Sequence, residues 1–213
     1  MPSGIRSLFY VVSTCRLLSN SSFVIEFFVC YRILRLLSNS SFVIEIFILI
    51  RNIVFSMPEI LIVYYSRAGN TEKLANAIAE GVREGGANPT VKSAEDVDVN
   101  TLPDFDGIIA GSPVYFGSMA AELKKFFDES VVVRKNLVNK VGAAFATSAH
   151  RTGGKETTIL SILQAMLICG MVIVGDPLET GGHYGAAGSD DAGLKEGRAL
   201  GKRVAGIVTL MNK

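Results

Sequence analysis

The chain reads as an α/β protein, a three-layer α/β/α sandwich built on a five-stranded parallel sheet in the order 2-1-3-4-5. Three observations predict this. From Met57 onward, short apolar runs alternate with stretches of helical periodicity, the pattern of a parallel sheet covered on both faces. Five such runs fit a doubly wound sheet, whose ligand crevice lies outside the carboxyl ends of its strands. The first run, Ile60-Leu61-Ile62-Val63-Tyr64, breaks into Tyr65-Ser66-Arg67-Ala68-Gly69-Asn70-Thr71 just before a helix. Such a strand–loop–helix turn presents backbone N–H groups and a helix dipole to an anion.

Taken in order, Ile60–Tyr65 is the first strand. Thr71–Glu84 is the first helix, with Leu74, Ala75, Ile78 and Val82 at helical spacing and Gly85-Gly86 to end it. Thr90–Ser93 is a short second strand, and Asp106–Ser112 a third, buried one. Ala120–Asp128 is helical, with Leu123, Phe126 and Phe127 on one side. Val141–Thr147 is the fourth strand, Glu156–Ile168 a helix, Met171–Gly175 the fifth strand and Asp191–Leu210 the closing helix.

Residues 1–56 differ in kind from the rest. Arg16-Leu17-Leu18-Ser19-Asn20-Ser21-Ser22-Phe23-Val24-Ile25-Glu26 recurs 19 residues later as Arg35–Glu45, but two copies do not make a repeat architecture. Glu26, Arg32, Arg35, Glu45 and Arg51 interrupt the apolar residues, so no stretch reaches the roughly 18–20 that a membrane span needs. No signal-peptide order is present. We expect an extension outside the native fold, translated from a misplaced start, with Met57 opening the functional domain, residues 57–213. That domain carries 16 basic and 18 acidic residues, a formal −2, which points to neither nucleic acid nor a strongly acidic face. Cys15, Cys30 and Cys169 form no CxxC and no metal-ligand spacing, so the sequence offers no metal site. Their pattern fits a reducing, cytoplasmic compartment.

Three loops carry the chemistry. Ser66–Thr71 supplies hydroxyls at Ser66 and Thr71 and a close backbone approach at Gly69. It lacks the Gly-Lys-Ser/Thr ending of a nucleotide P-loop and the GxGxxG of a dinucleotide site. The second loop, Gly111-Ser112-Pro113-Val114-Tyr115-Phe116-Gly117-Ser118, displays two aromatics between Pro113 and Gly117 that can pack on a flat ring. The third, Thr147-Ser148-Ala149-His150-Arg151-Thr152-Gly153-Gly154-Lys155, can bring positive charge from His150 and Arg151. A ligand with one terminal phosphate and one planar ring system satisfies all three, which is flavin mononucleotide (FMN).

With these residues assembled, Tyr64–Thr71, Gly111–Gly117 and Gly170-Met171-Val172-Ile173-Val174 resemble the flavodoxin superfamily, most of all the tryptophan-repressor-binding-protein (WrbA) type of NAD(P)H:quinone oxidoreductases. The resemblance spans residues 57–213 and locates the family's usual start at Met57. It implies a flavodoxin-like fold, FMN phosphate at Ser66, Arg67, Ala68, Gly69, Asn70 and Thr71, and the flavin ring against Pro113–Gly117 and Ser148–Gly154, with Thr152, Gly153 and Gly154 included. It implies a homo-oligomer, dimer or tetramer, in which Gly181-Gly182-His183-Tyr184-Gly185 lies near the active site. Ala68, Thr152 and Cys169 stand where that family often has an aromatic residue and two histidines. The family's tryptophan and its insertion between the second and third strands are absent.

The expected activity is the passage of two electrons from NAD(P)H to a quinone-like acceptor. No side-chain nucleophile is needed, because the flavin carries the chemistry. Positive charge from His150 and Arg151 would stabilise the reduced, anionic ring. An electron-carrier flavodoxin is the alternative, and it would use a strongly acidic docking face. A phospho-receiver would need an aspartate where Ser112 stands, and an iron–sulfur flavoprotein would need a cysteine cluster. Cys169 is expected to serve packing rather than redox chemistry.

Overall fold

The computed structural model describes residues 57–212. The expected extension, its direct repeat, Cys15 and Cys30 lie outside the described residues. The sheet holds β1 (Glu59–Tyr64), β2 (Asn88–Ser93), β3 (Gly107–Pro113), β4 (Val141–Thr147), β5 (Val172–Ile173) and β6 (Ala186–Ala187). The order is β2-β1-β3-β4-β5, every pairing is parallel, and β6 joins β4. The helices are α1 (Asn70–Glu84), α2 (Ala121–Glu129), α3 (Lys155–Ile168) and α4 (Asp191–Met211).

The central strands are apolar without alternation because both of their faces are covered. All seven residues of β4 are buried, and so are Ile60–Val63 of β1. One face packs Ile60, Ile62 and Phe145 against α1 and α4 through Leu74, Ile78, Leu200 and Val204. The other packs Leu61, Val63 and Ile108 against α2 and α3 through Leu123, Phe126, Ile159 and Ile162. Gly111 faces Phe145 across the β3–β4 pairing, and a Cβ at Gly111 would lie 2.1 Å from the Phe145 ring. The glycine in β3 therefore leaves room for the aromatic ring of its neighbour.

The expected fifth strand is corrected in form. Its ladder covers only Val172–Ile173, opposite Val141–Gly142. The chain then leaves the sheet and returns as β6 opposite Phe145–Ala146 on the same edge of β4. The neck of this excursion is tight. A Cβ at Gly175 would sit 2.4 Å from the His183 carbonyl oxygen, and one at Gly185 would sit 2.0 Å from that of Ala144. Two glycines thus allow the strand to open into a loop and close again.

Candidate functional site

The parallel register places the carboxyl ends of β1, β3 and β4 side by side. Tyr64 pairs with Gly111, and Pro113 with Thr147. The three loops of interest all leave from this rim. They are joined at their roots: the Tyr65 N–H donates to the Gly111 carbonyl at 3.1 Å, and the Val114 N–H to the Thr147 carbonyl at 2.8 Å.

In the first loop, Arg67, Ala68, Gly69 and Asn70 are exposed and Ser66 is half-buried. Gly69 is the N-cap of α1 with φ 80°, and no side chain bonds to the uncapped first turn. A Cβ built on Gly69 would meet nothing within 4 Å, so the space over the helix end is open. Among the described residues, the side chains of Ser66, Arg67 and Asn70 hold no hydrogen bond. A hydroxyl, a guanidinium, an amide and free N–H groups at a positive helix end form a donor set that fits a phosphate. Thr71 departs from the expectation of a hydroxyl donor. It is buried, and its Oγ1 lies 2.7 Å from Thr147 Oγ1, so its outward contribution is main chain. Next to this loop, the Glu122 carboxylate, as acceptor and as charge, pushes the Tyr65 phenol above its ordinary range.

The second loop is a hairpin-like turn. Tyr115 and Ser118 exchange two backbone hydrogen bonds of 3.1 Å, with Phe116 at φ 51° and Gly117 at φ 79° between them. Positive φ at both central positions is the type I′ signature, and a bulky residue there is strained. Phe116 is fully exposed, and Tyr115 is 37% exposed. Neither is tucked into the core, so an apolar surface stands free beside Pro113 and Val114, as a ring-binding loop requires. Ser112 anchors the far end of the loop by accepting the Ala120 N–H at 2.8 Å.

The third loop closes on itself. Ser148 Oγ donates to the His150 carbonyl at 2.6 Å, and the Gly153 N–H donates to the same oxygen at 3.1 Å. A Cβ at Gly153 would press on Ser148 at 2.6 Å, so the fold of this loop needs glycine there. His150 Nδ1 accepts the Thr152 N–H at 3.3 Å and lies 3.0 Å from Thr152 Oγ1. His150 and Arg151 are both exposed on this loop, and the Arg151 guanidinium is its permanent positive charge. Gly154, at φ 81°, begins α3 without a side-chain cap.

Sequence reading missed the residues that join the loops. Thr157 Oγ1 lies 2.7 Å from the Gly117 carbonyl and 2.9 Å from that of Gly154, tying the second loop to the third. Thr147 reaches the first loop with its side chain and the second with its carbonyl. Polar residues at a strand end and in a first helical turn were the available signal, but threonine is ordinary at both places. A fourth segment borders the rim. Lys73 Nζ donates to the Ser189 carbonyl at 3.2 Å, and the Ala187 N–H donates to Glu196 at 3.2 Å. Burial, reinforced by the charge of Asp176, pushes the Glu196 carboxyl up against the opposing pull of the Ala187 N–H, His183 and Lys155.

The late loop Gly181–Gly185 is organised by buried Asp176, whose two oxygens accept the N–H groups of His183 at 2.7 Å and Gly182 at 3.1 Å. Cys169 is half-buried against the α2–α3 core, and burial raises its thiol. Both facts suit packing, since a reactive cysteine needs a lowered pKa. Among the described residues no group of His, Cys, Asp and Glu could hold a metal, and no helix is long and apolar enough to cross a membrane.

Comparison with known proteins gives consistent findings. The NADPH-dependent FMN reductase family profile matches residues 99–183. An NAD(P)H dehydrogenase (quinone) of Archaeoglobus fulgidus is 38% identical over 188 residues, covering 71% of this chain and 97% of that protein. An iron-sulfur flavoprotein of Methanocaldococcus jannaschii is 42% identical over 142 residues, covering 62% and 72%. Among solved structures, a WrbA-like flavodoxin from Agrobacterium tumefaciens superposes with a TM-score of 0.62 at 25% identity, covering 72% of this chain and 98% of that one.

Proposed function

The chain belongs to the family of these NAD(P)H dehydrogenase (quinone) relatives, flavodoxin-superfamily proteins of the WrbA type, and from that premise we propose its function. It is an FMN-dependent oxidoreductase that passes two electrons from NAD(P)H to a quinone-like acceptor. The observation that carries this reading is the rim itself, where a loop whose donors have no partner among the described residues, on an open helix end, lies beside an exposed aromatic turn. FMN, when bound, supplies the redox chemistry between nicotinamide and acceptor.

The chain's own residues bind and tune. Ser66, Arg67, Asn70 and the first-turn N–H groups of α1 hold the phosphate, and Gly69 leaves room for it. Tyr115 and Phe116 flank the ring, with Pro113, Val114 and Gly117 shaping the turn. Ser148–Gly154 borders the ring's polar edge, and Arg151 opposes the negative charge it gains on reduction. The Arg151→Ala variant should lower the flavin potential by about 30 mV, roughly 1.4 kcal/mol for a two-electron couple. His150→Ala on the same loop is the companion variant, and the double variant His150→Ala/Arg151→Ala should lower the potential at least as far.

Residues 57–213 are the functional domain in this reading, and the extension takes no part in the chemistry. The protein works in the cytoplasm, as its cysteine usage suggests, and assembles as a dimer or tetramer. Similarity to solved flavodoxins keeps an electron carrier as the second reading, whereas the near-neutral charge of residues 57–213 favours the enzyme. The purified chain should be yellow, bleach anaerobically on addition of NADH or NADPH, and turn over steadily with benzoquinone. Failure to take up FMN overturns the reading. Reduction only through a reductase protein supports the carrier.

A further inference from the structure

We propose that Thr147 is a positioning residue that couples the phosphate end of the site to its ring end, so that the two halves of the flavin are bound cooperatively. The proposal rests on the FMN reading above.

Thr147 is the last residue of β4 and is buried. Three connections leave from it. Its Oγ1 lies 2.7 Å from Thr71 Oγ1, in the first turn of α1 below the phosphate loop. Its carbonyl accepts the Val114 N–H at 2.8 Å, at the start of the aromatic turn. Its own chain continues into Ser148 and the third loop. The hydroxyl pair is also a shortcut. The sheet connects β1 to β4 only through β3, whereas the Thr71–Thr147 bond joins α1, the helix that follows β1, directly to the end of β4.

Among the described residues, the first loop is tied to the other two by the Tyr65–Gly111 main-chain bond at its root and by this hydroxyl pair. Ser66–Gly69 and His150–Thr152 are largely exposed, and the bonds of the third loop close within that loop. Thr157 joins the second loop to the third but does not reach the first. The hydroxyl pair therefore adds, to the sheet and to the Tyr65–Gly111 main-chain bond, a direct tie between an anion held over α1 and a ring held over β3 and β4. Buried in a low-dielectric interior, a hydroxyl pair of this kind resists separation, because parting them leaves both unsatisfied.

The test compares FMN with riboflavin, which has the same ring and no phosphate, in titrations of the full-length apoprotein. Thr147→Val and Thr71→Val should each weaken FMN binding about tenfold and riboflavin binding much less, so that the advantage conferred by the phosphate shrinks. Thr147→Ser, which keeps the hydroxyl, should remain close to wild type. The double variant Thr71→Val/Thr147→Val removes both hydroxyls and leaves none unpaired. It should recover the melting temperature lost by the single variants but not their FMN affinity. A double variant that binds FMN like wild type, or an FMN-to-riboflavin ratio unchanged in every variant, overturns the proposal and leaves the pair a merely structural one. A wild-type chain that takes up neither compound overturns the flavin reading, and this proposal with it.

Discussion

The α1–α4 face and the phosphate-loop turn at the rim both depend on glycine, for opposite reasons. Along the helix pair, glycine is needed for what it lacks. A Cβ at Gly81 would lie 1.9 Å from the Arg198 carbonyl oxygen, and one at Gly201 would lie 2.1 Å from that of Ile78. The two backbones touch where side chains would hold them apart, and Arg198 clamps the seam from outside by pairing with Glu80 and Glu84. At the rim, Gly69 has open space around it and is needed for its backbone conformation, at φ 80°. The first region is closed and carries stability. The second is open and is where we propose that the ligand binds. A substitution in one should therefore be read by unfolding, and in the other by binding.

Gly201→Ala should have the largest effect. The added methyl meets backbone rather than a movable side chain, and we expect about 3 kcal/mol of destabilisation by urea unfolding, at the upper end for overpacking. An unchanged midpoint would mean that the helix seam is not tight. Gly69→Ala should reverse the balance. Strain in the left-handed region costs roughly 1–2 kcal/mol, but the loss in FMN affinity by fluorescence titration should exceed the loss in stability. Equal losses would erase the distinction between the regions.

Phe116→Gly sharpens it further, because its two effects differ in sign. Relieving φ 51° in a non-glycine residue should stabilise the apoprotein by about 1 kcal/mol in thermal unfolding, while FMN binds less tightly. The smallest effect belongs to Glu196, on α4 where the closed face meets the rim. Its carboxyl is raised, chiefly by burial, so the protonated form favours the fold. The stability linked to that proton is present below the ordinary glutamate range and lost as pH rises through the raised value. Glu196→Gln keeps the acceptor for Ala187 and should stabilise the protein by about 0.5 kcal/mol at neutral pH, after solvent screening, with no gain at acid pH. A gain that is independent of pH would count against the charge as its cause.

Much of the closed region was legible in the sequence because burial imposes a period. The β4 bounds are those expected, Val141–Thr147, and β1, β3 and the four helices differ from expectation by one residue or so at their ends. The fifth strand was misjudged because its pairing is split into two pieces of two residues, too short for any period to register. At the rim, the loops were legible through their glycines, hydroxyls and aromatics. Their joints were not. Thr71 and Thr147 are 76 residues apart and meet only through the topology, and nothing in a lone threonine says which hydroxyl it will face. The bond from the Thr152 N–H to His150 Nδ1 was equally hidden, since it forms only when the loop folds back on itself.

The split of the outer strand bears on the solubility of the protein. A long, regular strand at the margin of a sheet is a template on which another chain can pair and aggregate. Among the described residues one margin is β5 and β6, each of two residues and separated by an excursion, and that margin offers no continuous ladder. The other margin is β2, where Pro89 withholds a donor and Lys92 adds an exposed charge. The excursion that interrupts the ladder thus also guards the molecule against stacking on its own kind, and closing it into one unbroken strand would favour fibrils over enzyme.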